Sequence, residues 1–349
     1  MRPAPFLLQY NKIYADAKEE AYRKKVFEIS VARADDRNDA NVAAGGKPIF
    51  GITKFSDRTQ TEFDTNNKGR KGHGYMPKDH ADRVKQPPKD FSTPTSIAWQ
   101  DLGYTTPVKN QGQCGSCWAN SATEQIESQW MLAGQAPWEL SVQQVTSCTA
   151  GTFGCGGGDT TGAYEQIIND ATKFGEATSG VAAAAMVPYQ QSMYEECVGP
   201  VCTIACDDLG VGNLTVMASE VALTGPYVSL SGYSFATPAC TGACGSQDLD
   251  TLNANVAATA PASICVNAGM WNDYVGGVMT TEACGGYAYS DLDHCVQLTG
   301  FNLTAAEPYY YVRNSWATNW GEDGYILLSS EGNTCGLADE ATFVDVVVS

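Results

Sequence analysis

At 349 residues the chain is long enough for two or three packed units, and its 43% hydrophobic fraction contains no run near the ~20 apolar residues of a membrane span. The net charge of -18 hides a division: residues 1 to 92 carry 18 Lys and Arg against 13 Asp and Glu, a surplus of +5, whereas 93 to 349 carry 3 against 26, a deficit of -23. So acidic a body argues against nucleic acid and anionic membrane as partners, since both require clustered Lys and Arg, and it suits a basic N-terminal part held to it partly by charge.

Residues 1 to 65 read as a helical unit. Glu19, Arg23 and Phe27 recur at four-residue steps, and the series continues through Ser30 and Ala34 to Asn38 on one helix face. Taken alone, Glu19 and Arg23 are an exposed pair worth a few tenths of a kcal/mol. Phe6 and Tyr10-Asn-Lys-Ile-Tyr14 precede this helix; Gly51, Thr53, Phe55 and Asp57 follow it at two-residue steps. Residues 66 to 92 are polar and rich in Lys, Gly and Pro, the composition of an extended linker. Met1-Arg-Pro-Ala-Pro shows no apolar core of a secretory leader. The 13 Cys and the sequons Asn213-Leu-Thr215 and Asn302-Leu-Thr304 nevertheless point to an oxidising secretory route, ending in a lysosome or vacuole or outside the cell, with a leader removed or replaced.

The body, 93 to 349, opens on Gln111-Gly-Gln-Cys-Gly-Ser-Cys117, a glycine-rich turn. From Trp118 to Gly134, Trp118, Ala122, Ile126 and Trp130 recur every four residues, so a buried helix starts at Cys117 or beside it. A cysteine at a helix start feels the positive end of the dipole and free N–H groups, which favour its thiolate. A capping box, Ser141 to Gln144, opens a second helix, and Thr161 to Gly175 reads as a third. Residues of about 198 to 260 form a Cys-rich, Gly, Ala, Thr and Ser-rich stretch that reads as an insertion. Short apolar runs then predict strands at Ser263–Val266, Cys295–Leu298, Tyr309–Val312, Tyr325–Leu328 and Phe343–Val348. Helices first and strands second make the body α+β in two halves, with the thiol supplied by one half and an imidazole by the other.

Cys114-Gly-Ser-Cys117-Trp118 carries the local signature of papain and cathepsin cysteine peptidases. Of the three His, His294 alone lies downstream of Cys117, in Asp293-His-Cys-Val, which resembles the family's strand; Asn314 follows in Asn314-Ser-Trp316, continuing to Trp320-Gly-Glu-Asp-Gly. The Glu19 helix and the Gly51-to-Asp57 segment resemble the propeptide of cathepsin L-type zymogens. Each element alone has an ordinary structural explanation, but their order together resembles this family from end to end. The resemblance implies a two-lobed papain-like fold, a helical lobe facing a β-barrel-like lobe, preceded by an inhibitory propeptide whose linker crosses the cleft against the substrate direction.

It also implies roles. Cys117 is the nucleophile, His294 the acid and base, Asn314 the orienter of the imidazole, and Gln111 an oxyanion-hole amide. Cys117 and His294 are expected as a thiolate and imidazolium pair. Trp316 either shields the His294–Asn314 bond or packs as core. Gly157 and Gly158 resemble the stretch that pairs with substrate backbone, and Asp293, Cys295, Cys265 and Glu340 resemble positions lining the cleft. Glu340 is either a solvated carboxylate or the floor of a pocket that takes basic as well as bulky apolar side chains. Setting Cys117 aside leaves twelve Cys, an even number. The resemblance pairs Cys114 with Cys155, Cys148 with Cys197 and Cys284 with Cys335. Cys202, Cys206, Cys240 and Cys244 are expected as disulfides bridging the two pairs, zinc being the alternative; Cys265 and Cys295 form either a disulfide or two buried thiols. The insertion accounts for His294 and Asn314 lying 177 and 197 residues past Cys117 rather than the ~130 to 150 usual in the family. The expected function is a self-inhibited cysteine endopeptidase, monomeric and without cofactor or metal, acting on peptide and protein substrates and unlocked by acid. A peptide ligase on the same thioester and an inactive binding homologue are the alternatives.

Overall fold

The computed structural model describes residues 3–70, 76–174, 180–185, 189 and 227–348. Cys197, Cys202, Cys206 and the sequon at Asn213 lie outside them. The N-terminal unit is built on α1 (Pro3–Gln9), α2 (Ala17–Ala43) and α3 (Gln60–Asn67). Asp16 caps α2 through the Lys18 and Glu19 N–H groups, and the buried face of α2 is Val26, Phe27, Ser30, Ala34 and Asn41. Phe27 meets Phe6 of α1 with ring centroids 4.8 Å apart, so the small Ser30 and Ala34 continue the inner face that Phe27 begins. Asn38 pins the next segment by accepting from Ile49 N–H (2.9 Å) and Phe50 N–H (3.0 Å) and donating to the Phe50 carbonyl (2.8 Å). Asp57 accepts from Lys12 (2.8 Å) and Tyr14 (2.9 Å), while Arg23 bonds both Glu62 (2.8 Å) and the Asp57 carbonyl (3.1 Å) and lies 3.6 Å from Glu19.

In the body, α4 (Cys117–Leu132), α5 (Val142–Cys148) and α6 (Thr160–Phe174) precede most of the sheet. Ser141 caps α5 at the Gln144 N–H; the Gln144 side chain does not close the predicted box but spans to Gly180 O and Ala182 N, 2.9 Å each. The strands are β1 (Ser96–Ala98), β2 (Val181–Ala182), β3 (Tyr227–Phe235), β4 (Ala262–Val266), β5 (Val278–Met279), β6 (His294–Asn302), β7 (Tyr309–Arg313), β8 (Tyr325–Ser329) and β9 (Ala341–Val347), with α7 (Leu249–Ala258) before β4 and α8 (Thr281–Cys284) after β5. They pair in the order β2-β3-β9-β4-β6-β7-β8-β5, with β1 against β6, all antiparallel except β5 with β8. The strand-rich second half matches the β lobe expected from the sequence, and the described strands form one continuous run of pairings.

Two expectations need correction. The second half of the supposed insertion belongs to the body: Tyr227–Phe235 alternates apolar and small polar residues and pairs with β9 through a bulge at Leu230/Gly232, and α7 buries Leu252 and Val256. Its Ser and Gly content masked the two-residue period. Cys240 bonds Cys244 rather than bridging to the other pair, because a turn of five residues brings the two chain ends together. Cys114 is joined to Cys155, Cys284 to Cys335 and Cys265 to Cys295; Cys148 is disulfide-bonded, and its expected partner Cys197 lies outside the described residues. Asn302 ends β6 with its side chain accepting from Thr304.

Two apolar clusters flank α4. One gathers Trp118, Ile126, Tyr164 and Phe235; the other gathers Trp99, Phe301, Tyr310, Trp316 and Trp320, and is completed by Phe55 and Phe63 of the N-terminal unit. Between them α4 meets β6 through polar bonds: Ser121 Oγ to Val296 O (2.7 Å), and Gln297 Nε2 to Glu124 O and Ser128 Oγ (3.0 Å each). Asn38→Ala deletes three bonds within the N-terminal unit; at about 1 kcal/mol each, its unfolding should move down by about 3 kcal/mol, read as an earlier first transition in thermal melting while the body's transition stays in place.

Candidate active site

Cys117 is the first residue of α4 and His294 the first of β6, and packing of helix on strand brings the Cys117 sulfur to the backbone N–H of Cys295, the residue after His294. The turn before Cys117 is clamped by the Cys114–Cys155 bond and by Gly115 N–H to Cys155 O at 2.9 Å. Cys117 is a buried free thiol, and its sulfur is approached by the backbone N–H groups of Cys295, Trp118 and Gly69. On the other side, His294 Nε2 lies 2.8 Å from Asn314 Oδ1, which also accepts from Ser315 N–H at 2.8 Å. That second bond identifies Oδ1 as an acceptor, so Nε2 carries the proton and Nδ1 is bare; Nδ1 is buried with no hydrogen-bond partner among the described residues. The Trp316 ring lies 4.8 Å from the imidazole, and Trp271 meets it edge-on at 5.9 Å, so Trp316 both covers the His294–Asn314 bond and fills the core.

The cleft is filled by the chain's own residues 67 to 70, which run from the end of α3. Gln111 Nε2 donates to Asn67 O (3.2 Å) and Cys114 O (2.8 Å), and Trp316 Nε1 also donates to Asn67 O (3.2 Å). Asp293 O accepts from Gly69 N–H (3.1 Å) and Arg70 N–H (3.0 Å), Gly158 N–H donates to Gly69 O (2.9 Å), and Lys68 Nζ sits 2.5 Å from the Asp293 carboxylate. Gly69 has no room for a side chain, since a Cβ there would lie 1.9 Å from Gly115 O. Arg70 pairs parallel with Gly158. Its guanidinium is buried over the Tyr289 ring at 4.5 Å, with Nη2 2.6 Å from Glu340 and 3.6 Å from Asp159. Cys265 and Cys295 share a buried cluster with Tyr289 and Leu292, the residues against Arg70, and Gly157 holds φ +120° in the turn before Gly158.

Burial decides the charge state. It pushes the Cys117 thiol up to about 12, with Asp293 adding to the rise and the backbone N–H groups opposing it, and pushes His294 down to about 3 against the Asn314 bond. With the cleft filled, burial therefore disfavours both the thiolate and the imidazolium. The ion pair expected from the sequence is not the form this sealed site favours, because the water that would solvate it is displaced.

The structure brings together Cys117, His294, Asn314, Gln111, Trp316, Gly158, Asp293 and Glu340 around one stretch of chain. Three further residues escaped sequence reasoning. Arg70 looked like linker charge. Asp159 stands after Gly158 with the Asp-Thr-Thr signal of a helix cap, which was there to be read. Tyr189, which donates to Gln111 O at 3.0 Å and lies 2.5 Å from Ser116 Oγ, bears no local mark.

Comparison with known proteins follows this geometry. Residues 93–344 match the papain family cysteine proteases, and residues 5–63 match the cathepsin propeptide inhibitor domain. A cysteine proteinase of Trypanosoma brucei brucei is 35% identical over 96% of this chain, which spans 64% of that protein's length. Digestive cysteine proteinase 2 of Homarus americanus is 31% identical over 96% of this chain and 91% of its own. Among solved structures, digestive procathepsin L2 proteinase from the larval midgut of Tenebrio molitor superposes with a TM-score of 0.71 at 26% identity, covering 98% of each chain. A free helix-start thiol and an Asn-held imidazole thus sit on a matching fold under a matching inhibitor domain, and the chain belongs to the papain family of cysteine proteases.

Proposed function

We propose that the body is a cysteine endopeptidase held inactive by residues 1 to 92 and acting through a thioester on Cys117. The observation that carries this reading is the placement of residues 67 to 70 as a mock substrate: Asn67 O takes the Gln111 amide, Gly69 lies over the sulfur, and Arg70 fills the adjoining pocket. Once that strand leaves, water and substrate enter. The thiol proton passes to His294 Nδ1, and the sulfur attacks the peptide carbonyl. The oxyanion is held by Gln111 Nε2, freed from Asn67, and by the Cys117 N–H. His294 returns the proton to the leaving amine, then takes one from water as the thioester is hydrolysed. Arg70 runs parallel to Gly158, the opposite sense to an extended antiparallel substrate, so no peptide bond of the blocking strand is presented in register. The disulfides support synthesis in an oxidising compartment.

The pocket filled by Arg70 is read as the subsite for the residue two before the scissile bond, with Glu340 offering a charge-assisted bond to a basic side chain. A peptide library incubated with acid-processed protein should be cut, and not by Cys117→Ala. Among otherwise identical peptides, arginine at the second position before the cut should be cleaved at least as well as phenylalanine. A library left intact by the wild type contradicts the peptidase reading; cleavage restricted to phenylalanine contradicts the basic pocket alone.

Acid is the proposed trigger. The inhibitor unit holds the body through ion pairs: Arg33 grips buried Asp273 with two 2.7 Å bonds, Arg37 adds one of 2.6 Å, and Lys68 reaches Asp293. Within the inhibitor unit, burial would raise the Glu62 carboxyl, but the Thr59 N–H and Arg23 outweigh it and hold Glu62 below its ordinary range. A carboxyl depressed on folding contributes stability above its unfolded value and loses it as pH falls through the folded one, so the unit weakens below about pH 4. Processing of the zymogen should be at least about tenfold faster near pH 4 than near pH 7, and Glu62→Gln, which keeps the helix cap but removes the charge, should raise the neutral rate. Equal rates at the two pH values would contradict the trigger.

A further inference from the structure

Two carboxylates, not one, face the guanidinium in this pocket. Asp159 precedes α6 and caps it: its carbonyl accepts from Ala163 N–H at 3.2 Å, and Oδ1 accepts from Thr161 N–H at 3.2 Å and Thr161 Oγ1 at 3.0 Å. Capping uses one side-chain oxygen and is served equally well by Asn or Ser. It leaves unexplained the other oxygen, Oδ2, which is buried without a hydrogen-bond partner among the described residues and points at Arg70 Nη2 from 3.6 Å. Asp159 and Glu340 are each 1% exposed, so whatever charge they carry is met by what fills the pocket.

Both cannot ionise freely at such close quarters, and their surroundings differ. Asp159 lies at the N-terminus of a 15-residue helix, where a negative charge is favoured. Glu340 has no such support: burial, and next Asp159, push its carboxyl up to about 8 even with Arg70 opposing. The other groups facing the pair add little charge. The Tyr164 and Tyr289 hydroxyls are held in their neutral form by burial, and burial pushes Asp339, beside Glu340, up to about 8.

We propose that Asp159 is the pocket's standing negative charge and Glu340 its hydrogen-bonding partner, so that the pocket accepts an arginine side chain at acidic as well as neutral pH. This rests on the assignment of the pocket as a substrate subsite made above. Arginine suits the pair because its planar fork reaches both carboxyl groups at once, as Arg70 does, whereas a lysine presents a single point of charge.

The test compares acid-processed wild type, Asp159→Asn and Glu340→Gln on peptides differing only in arginine or leucine at that position, at about pH 5 and about pH 8. Both substitutions keep size, and Asn preserves the helix cap. The wild-type ratio of kcat/KM for arginine over leucine should change by less than about threefold between the two pH values. At the lower pH, Asp159→Asn should lower the ratio by about tenfold or more, and Glu340→Gln by less than about threefold. A ratio at the lower pH that falls in Glu340→Gln as much as or more than in Asp159→Asn overturns the role of Asp159 while the basic pocket stands. A wild type that never favours arginine overturns the pocket assignment and this proposal with it.

Discussion

Helix α4 and strand β6 lie against one another through Ser121, Glu124, Ser128 and Gln297, and the first residue of each is the cysteine or the histidine of the candidate site. Everything else in the site follows from that contact. Both elements are buried along nearly their whole length, so neither terminus can drift without opening a core, and the turn before Cys117 is tied down by a disulfide. Asn314 lies one residue past β7, the strand paired with β6, which is why its side chain reaches the imidazole from the neighbouring chain run. A thiol and an imidazole are thus held at one end of the polar seam between the two apolar clusters.

The N-terminal unit exploits this seam rather than covering it loosely. Phe55 and Phe63 pack edge-on against Trp316, each at 5.2 Å, so the indole that screens the His294–Asn314 bond also anchors the inhibitor. From there the strand drops into the cleft with a glycine where the walls come closest and an arginine where the pocket is acidic. Charge separation along the chain has the same logic. The body holds three basic residues in 257 positions, two of which, Lys109 and Arg313, are committed to internal pairs with Glu127 and Glu124. Cations of the first 92 residues meet carboxylates of the body at Asp273, Asp293, Glu307, Glu340 and Asp345.

Much of this was legible in the sequence, and the reasons are specific. The four-residue period after Trp118, the Cys-Gly-Ser-Cys-Trp stretch and the Asn314-Ser-Trp316 stretch each carry a local pattern strong enough to locate an element and its chemistry. The period through Glu19, Arg23 and Phe27 likewise predicted α2. What escaped depends on contacts between distant residues. That Arg70 would enter a pocket 270 positions away is invisible in a Lys- and Gly-rich linker. β3 hid because Ser and Gly fill its alternate positions, and the local Cys240–Cys244 bond could not be told from a bridge by spacing alone. The thiol form that burial favours for Cys117 in the sealed cleft was not legible for a related reason: a helix start is visible in sequence, but the exclusion of water by a strand from the same chain is not.

The central claim is that the strand over Cys117 keeps the sulfur protonated and that its departure releases an anionic nucleophile. Alkylation of Cys117 by a small thiol reagent, followed by intact mass from about pH 4 to about pH 9 on both the zymogen and the acid-processed protein, addresses it directly. The processed protein should be modified rapidly at neutral pH, and the zymogen about a hundredfold more slowly across the range, with the label mapped to Cys117. Equal rates in the two forms, or a label on another residue, would contradict it.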